Sequence, residues 1–492
     1  MERSSGILLH ISSLPSPYGI GTLGKEAYRF ADNLKAANQK YWQLLPLGPT
    51  SYGDSPYQSF STFAGNPYFI DLDLLVKDGL LHKKDLEGLG WGDDPAHVDY
   101  GKIYEGRFPL LYKAYQKGWE RDKEEVAAFQ KEKRWLHDYA LFMALKRHFN
   151  MQSWMDWEDE GIRQRKSGAM AKYEALLEDD IRFFTYLQFL FFRQWTALKE
   201  YINGLGIKII GDLPIYVAMD SADVWSEPEF FQLDECKKPK EVSGVPPDYF
   251  CEDGQLWGNP IYDYDKMKAD GFGWWIRRVE GAGQMFDVIR IDHFRGLESY
   301  WAVPYGDETA RNGKWRKGPG MDLVRVLTSW FHNLSFIAED LGFLTPEVMQ
   351  LLQDSGLPGM KVLEFAFDPR EPSDYLPHTY SKHCVCYVGT HDNETLVQWE
   401  KTVDKANITF AREYLGIDKT QKLSDAMIRA GMRSVADTFV VQMQDWLELG
   451  EEARMNAPGT DSGNWRWRML PGAFDKKLVH RIARCTRIYG RG

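Results

Sequence analysis

Eight short apolar runs recur along the chain, and most end in a polar or chemically capable residue. In order they are Gly6–His10, Tyr41–Pro46, Ile207–Asp212, Asp287–Asp292, Ser335–Glu339, Lys361–Ala366, Val385–Thr390 and Phe439–Met443. Most are rich in β-branched or aromatic residues and almost continuously apolar. That is the signature of strands buried on both faces, as in a parallel sheet covered by helices. Helical patterns follow several of them: Lys25–Gln39, Met321–Asn333, Thr345–Asp354 and Asp425–Asp437. The third opens with Thr345-Pro346-Glu347, a cap followed by proline in the first turn. Eight strands interleaved with helices predict an α/β protein built as a (β/α)8 barrel.

Two intervals are too long to be simple connections. Residues 77–180 are charged and helical, and residues 221–284 are rich in proline, glycine and aromatics with weak periodicity. They are expected as a helical insertion and a loop-rich insertion over the active site, on one catalytic barrel spanning 1–492. The 492 residues carry 60 Lys+Arg against 71 Asp+Glu, a formal charge of −11. Nucleic-acid binding needs a basic face, so this balance argues against it. The longest apolar-looking run, Phe183–Trp195, is too short to span a bilayer and contains Gln188, Arg193 and Gln194. No signal or transit peptide is recognisable before the first strand. The five scattered cysteines form no metal-ligand pattern and read as free thiols, so a cytoplasmic location is expected.

In a barrel of this kind the chemistry lies at the C-terminal ends of the strands. Four acids stand there: Asp212, Asp292, Glu339 and Asp392. Side chains alternate along a strand, which puts Arg290 and Asp292 on one face. A guanidinium beside Asp292 would favour its ionised form and suit it to act as a nucleophile. Glu339 ends the apolar run Phe336-Ile337-Ala338, where a raised pKa would let it hold a proton near neutrality. Two such carboxyls are what glycosidic bond cleavage uses. Asp392, next to His391, would supply a third carboxylate for sugar hydroxyls. Any one of these residues could instead form a buried structural ion pair, and His293 and His391 could be core histidines. The glycine-rich stretches Gly318–Gly320 and Gly281–Gly283 lack the spacing of a phosphate or dinucleotide loop and read as turns.

Several motifs carry a resemblance. Among them are Gly53-Asp-Ser-Pro-Tyr-Gln-Ser-Phe-Ser61, Gly211-Asp-Leu-Pro-Ile-Tyr-Val217, Gly254-Gln-Leu-Trp-Gly-Asn-Pro260, Ile289-Arg-Ile-Asp-His-Phe-Arg-Gly296, Ala338-Glu-Asp-Leu-Gly342, Gly389-Thr-His-Asp-Asn393 and Asn456-Ala-Pro-Gly-Thr460 with Asn464-Trp-Arg-Trp-Arg468. The chain resembles, nearly end to end, the 4-alpha-glucanotransferases (amylomaltases, disproportionating enzymes) of the alpha-amylase superfamily. That resemblance implies a retaining mechanism on α-1,4-glucans such as maltodextrins and amylose, with glucose as an acceptor and no metal or organic cofactor. It implies Asp292 as nucleophile, Glu339 as general acid/base and Asp392 as transition-state stabiliser. Arg290, His391 and Asp212 are the implied substrate contacts around the cleaved bond. Cys251, Tyr264 and Glu394 depart from the family's usual Ser, Trp and Asp.

Aromatics make up 14% of the chain. Phe183, Phe184, Phe189 and Phe191 are expected in the core. Tyr57, Tyr249, Phe250, Trp257 and Trp465, in loops that meet the strand ends, are expected to stack on sugars, with Asn464 as a further substrate contact. A glucan hydrolase of the same superfamily and a non-catalytic glucan-binding protein are the competing readings. No nucleic acid, membrane or obligate protein partner is expected.

Overall fold

The structure, a computed structural model, describes residues 2–51, 53–247, 252–342, 344–460 and 462–492. Its strands in chain order are β1 (Ser4–Leu8), β2 (Tyr41–Gln43), β3 (Lys208–Leu213), β4 (Glu241–Val245), β5 (Gln255–Pro260), β6 (Val288–Ile291), β7 (Ser299–Pro304), β8 (Lys314–Lys317), β9 (Ser335–Ala338), β10 (Gly359–Val362), β11 (Cys384–Tyr387) and β12 (Thr438–Gln442).

Eight of them form one all-parallel sheet in the order β10-β11-β12-β1-β2-β3-β6-β9. These are the eight runs read from the sequence. The sheet curls until its two edges meet. There the Ala338 N–H donates to the Pro358 carbonyl at 2.9 Å, in place of a full ladder between β9 and β10. The result is a nearly closed barrel. Its strands are buried along almost their whole length, which explains why their sequences lack polar alternation. The sixth and seventh strands begin earlier and end sooner than expected. After Val362 the chain turns into a short 3-10 helix, Leu363–Phe365. After Tyr387 it leaves the sheet for a turn in which Asn393 Oδ1 accepts from the N–H and hydroxyl of Thr390, both at 2.8 Å.

Helices pack outside the sheet. Thr345 caps the helix Pro346–Ser355 by accepting from the Val348 N–H, with proline at its first position. Between β2 and β3 runs a helical assembly that ends in the 27-residue helix Glu178–Gly204. Three acids at its first turn complement the helix dipole. Its apolar face buries Phe183, Phe184, Phe189 and Phe191 as expected.

The stretch after β3 is more regular than its weak periodicity indicated. β4 and β5 join β7 and β8 in an antiparallel sheet ordered β5-β4-β7-β8, with a small core of Val242, Val303 and Ala310. This sheet draws strands from both sides of β6. The free cysteines among the described residues are Cys236, Cys384, Cys386 and Cys485. Among those residues, no helix is long and apolar enough to cross a membrane.

Candidate active site

The site is assembled by register. β3 and β6 pair so that Asp212 lies opposite Arg290. One guanidinium nitrogen, Arg290 Nη1, donates to both oxygens of Asp212, at 2.7 and 2.6 Å, and to Asp292 Oδ1 at 3.0 Å. Alternation along β6 thus puts Arg290 and Asp292 on one face, as the sequence required. Asp292 and Glu339 follow their strands directly. Their N–H groups donate to Leu213 and Ile291, extending the ladder by one residue each.

Glu339 is 9% exposed. Its carboxylate accepts from the His293 N–H at 2.6 Å and from the Leu341 N–H at 2.9 Å. His293 adopts a left-handed conformation, φ 48°, which is costly for a residue with a Cβ. That conformation turns its N–H toward Glu339.

The opposite wall comes from the loops after β2 and β11. The Tyr57 hydroxyl donates to Asp212 Oδ2 at 2.6 Å. Its ring stacks on His391, with centroids 5.1 Å apart, and leans on Trp465. Asp392 faces solvent more than the other acids. Its Oδ1 accepts from Asn456 Nδ2 at 2.7 Å, and His391 Nε2 lies 3.4 Å from the same oxygen. Trp257 stands edge-on to His293 at 4.8 Å, half-buried, with its indole N–H bonded to Gln255.

A cavity of about 40 Å³ lies behind Tyr57 and Asp212, lined also by Pro46, Tyr216, Arg278 and Phe286.

Burial pushes the Asp292 carboxyl well above the usual carboxylate range. Arg290 opposes this, but the charges of Asp212, Glu339 and Asp392 add to it. This reverses the direction expected from the Arg290–Asp292 pair alone. The reason is burial first: enclosure penalises the charged form more than Arg290, which also pairs with Asp212, can offset. Burial also raises Glu339, while Arg290 and the two backbone N–H groups pull it down. Asp292 and Glu339 titrate as a pair rather than as separate groups. Burial works against the charge on Arg290, yet Asp212 and Asp292 outweigh it and hold it firmly ionised. Burial lowers His391 and, together with the Arg295 charge, takes His293 down to about 3, so His293 is neutral near pH 7. Among the described residues no group of three or more His, Cys, Asp or Glu is arranged to hold a metal ion.

Of the residues singled out from sequence, Tyr57, Asp212, Trp257, Arg290, Asp292, Glu339, His391, Asp392 and Trp465 fall within this contact network. Tyr249 and Phe250 lie outside the described residues. Asn464 is nearby but engaged locally: its amide bonds Thr460 and Ala457 and closes the loop between them. The sequence reading passed over Asn456 and Arg454, although Asn456 opens one of the motifs. It read His293 as a core histidine or a sugar contact and did not foresee its N–H on Glu339.

The family model for 4-alpha-glucanotransferase matches residues 9–473 of this barrel. The chain belongs to the 4-alpha-glucanotransferase family. It is therefore an enzyme of the glycosyl-transferring type. It is 50% identical over 486 residues to the 4-alpha-glucanotransferase of Clostridium butyricum, covering 98% of this chain and 100% of that one. It is 48% identical to the 4-alpha-glucanotransferase of Thermus thermophilus, covering 98% of each. Among solved structures it superposes on the amylomaltase from Streptococcus agalactiae in complex with acarbose with a TM-score of 0.98, at 41% identity and over 100% of both chains. The amylomaltase from Corynebacterium glutamicum shares the fold at 19% identity and a TM-score of 0.77, over 98% of this chain and 75% of that one.

Proposed function

We propose that this 4-alpha-glucanotransferase moves a segment of an α-1,4-glucan to the 4-hydroxyl of glucose or of another glucan by a retaining double displacement. The observation that carries the reading is the convergence of Asp292, Glu339 and Asp392 around Arg290 at one end of the barrel. Glu339, protonated, gives its proton to the glycosidic oxygen as the Asp292 carboxylate attacks the anomeric carbon. The C1–O bond breaks, the reducing-side glucan leaves with the proton, and a glycosyl ester on Asp292 remains. The Glu339 carboxylate then takes the proton from an incoming 4-hydroxyl, whose oxygen displaces Asp292 at C1. The net inversion is zero.

One proton shared by the Asp292–Glu339 pair fits this sequence, because the first step needs one member charged and the other protonated. Asp392 stabilises the positive charge that develops on the sugar. Tyr57, Asp212, Arg290 and His391 hold the glucosyl unit before the cleaved bond, and Trp257 offers a ring face to the glucan. Strand β5 (Gln255–Pro260) carries Trp257 to the side of His293, where its ring would favour a sugar hydroxyl over water. The acarbose bound in the Streptococcus agalactiae amylomaltase supports an α-glucan-like ligand for this groove.

Incubation with maltotriose tests the reading. Glucose together with oligomers longer than maltotriose is the expected outcome. Maltose and glucose alone would make the chain a hydrolase, and no turnover would leave a binding protein.

A further inference from the structure

Asp392 is held from outside the barrel. Its side chain is 45% exposed, and no element of the sheet fixes its carboxylate. Burial lowers His391, so whether His391 Nε2 donates to Asp392 depends on its tautomer. The Asn456 amide has no such condition: it always carries a proton, and it donates to Asp392 Oδ1 at 2.7 Å.

Asn456 is itself tied to the same turn. Its N–H donates to the His391 carbonyl at 3.1 Å. Its carbonyl accepts from Arg454 Nε at 2.9 Å, and Arg454 Nη2 reaches the Asp392 carbonyl at 3.2 Å. Arg454 Nη1 faces Glu394 Oε1 at 3.5 Å, and the Thr402 hydroxyl fixes the other oxygen of Glu394 at 2.6 Å. Residues 454–456 thus grip residues 391–394 through backbone and side chain together. The charged and titratable groups in or facing this clamp include Asp392, His391, Glu394 and Arg454, with Glu364 against Glu394 and Arg454, and Asp292 and Tyr57 against Asp392.

We propose that Asn456, seated by Arg454, is a positioning residue that sets the orientation of the Asp392 carboxylate for the transition state. The inference rests on the reading of Asp392 as the stabilising carboxylate. Freed from Asn456, a half-exposed aspartate samples other rotamers, and a displacement of about 1 Å costs on the order of 10²-fold in rate. Ground-state binding depends on other residues and changes little. A mere loop brace would instead lower stability without a specific effect on kcat or its pH dependence.

The experiment measures initial rates of transfer from maltotriose across the pH range for the full chain and for Asn456→Ala, Asn456→Asp and Asp392→Asn, with thermal unfolding of each. Asn456→Ala is expected to lose on the order of 10²-fold in kcat with KM within about threefold of the parent. Asn456→Asp keeps the shape but makes the donor titratable. Its protonated form still donates to Asp392, and its ionised form repels it, so the alkaline limb of its kcat profile moves to lower pH. If Asn456→Ala fails to fold, this shift carries the test alone. Parental kcat in Asn456→Ala, or a lowered Asn456→Asp profile with unmoved limbs, overturns the proposal while an inactive Asp392→Asn leaves the reading of Asp392 standing. An active Asp392→Asn overturns both.

Discussion

Arg290 meets Asp212 through a single nitrogen, Nη1, which lies 2.7 and 2.6 Å from the two carboxylate oxygens. Both side chains are fully enclosed, and the same nitrogen also reaches Asp292. The guanidinium therefore neutralises the floor of the site before any substrate arrives. Arg290→Met would leave Asp212 buried and unpaired. The expected cost is about 3–5 kcal/mol of stability, read from urea unfolding. Activity should be lost with it.

Asp292→Asn removes the carboxylate proposed to attack C1 and changes little else in shape. The transfer rate from maltotriose should fall by ~10⁴-fold or more. Glucan binding, followed by quenching of tryptophan fluorescence, should persist. Retention of transfer in this variant would remove Asp292 from the mechanism.

Trp257 presents one edge to His293 and is otherwise partly open. Loss of a ring–sugar contact in Trp257→Ala should raise KM for maltotriose by about tenfold and leave unfolding by urea close to the parent's. A large drop in stability with unchanged KM would make Trp257 a packing residue.

Burial also raises carboxyls outside the proposed chemistry, among them Asp223 and Asp445, each to about 7, and Glu364. Each holds a proton in the folded protein at a pH where the unfolded chain has released it. The folded state thus binds more protons, and stability falls as pH rises from about 4 through about 7. Asp445→Asn retains the oxygen that accepts from the Leu396 N–H at 2.7 Å and removes the titration. The difference in unfolding free energy between pH 4 and pH 8 should shrink by on the order of 3 kcal/mol relative to the parent.

Gly211 precedes Asp212 on β3, and a Cβ there would come within 2.0 Å of the Phe286 ring. Gly211→Ala should cost at least about 1–3 kcal/mol and lower activity by shifting Asp212, both measurable on the purified variant.

The barrel was legible because its strands are buried on both faces, so sequence and environment agree over whole runs such as Val288–Ile291. The second sheet was not. β8 is Lys314-Trp-Arg-Lys317, exposed throughout, and pairs with β7, which buries Tyr300, Ala302 and Val303 but leaves its other residues partly or fully open. Such an edge strand carries no apolar signal. The acids were legible from their places at strand ends, but the direction of the Asp292 shift was not. It depends on burial and on charges brought together from separate strand ends, Asp212 lying 78 residues from Arg290. Asn456 escaped notice for a related reason: it lies 64 residues from Asp392 in a loop without periodicity.

A cylinder stitched along seven seams and held along the eighth without a ladder has a built-in weak line. Between β9 and β10 run the bond from the Ala338 N–H to the Pro358 carbonyl, one residue before Glu339, and the bond from the Met360 N–H to Asp340 Oδ1. Thermal motion that opens the wall is channelled there rather than spread around the circumference. The amide of Ala338 therefore exchanges its hydrogen ahead of the amides inside the β3–β6 and β1–β12 ladders. Glu339, the proposed acid/base, stands on the stave most able to yield, while Asp292, the proposed nucleophile, stands on a stave clasped from both sides.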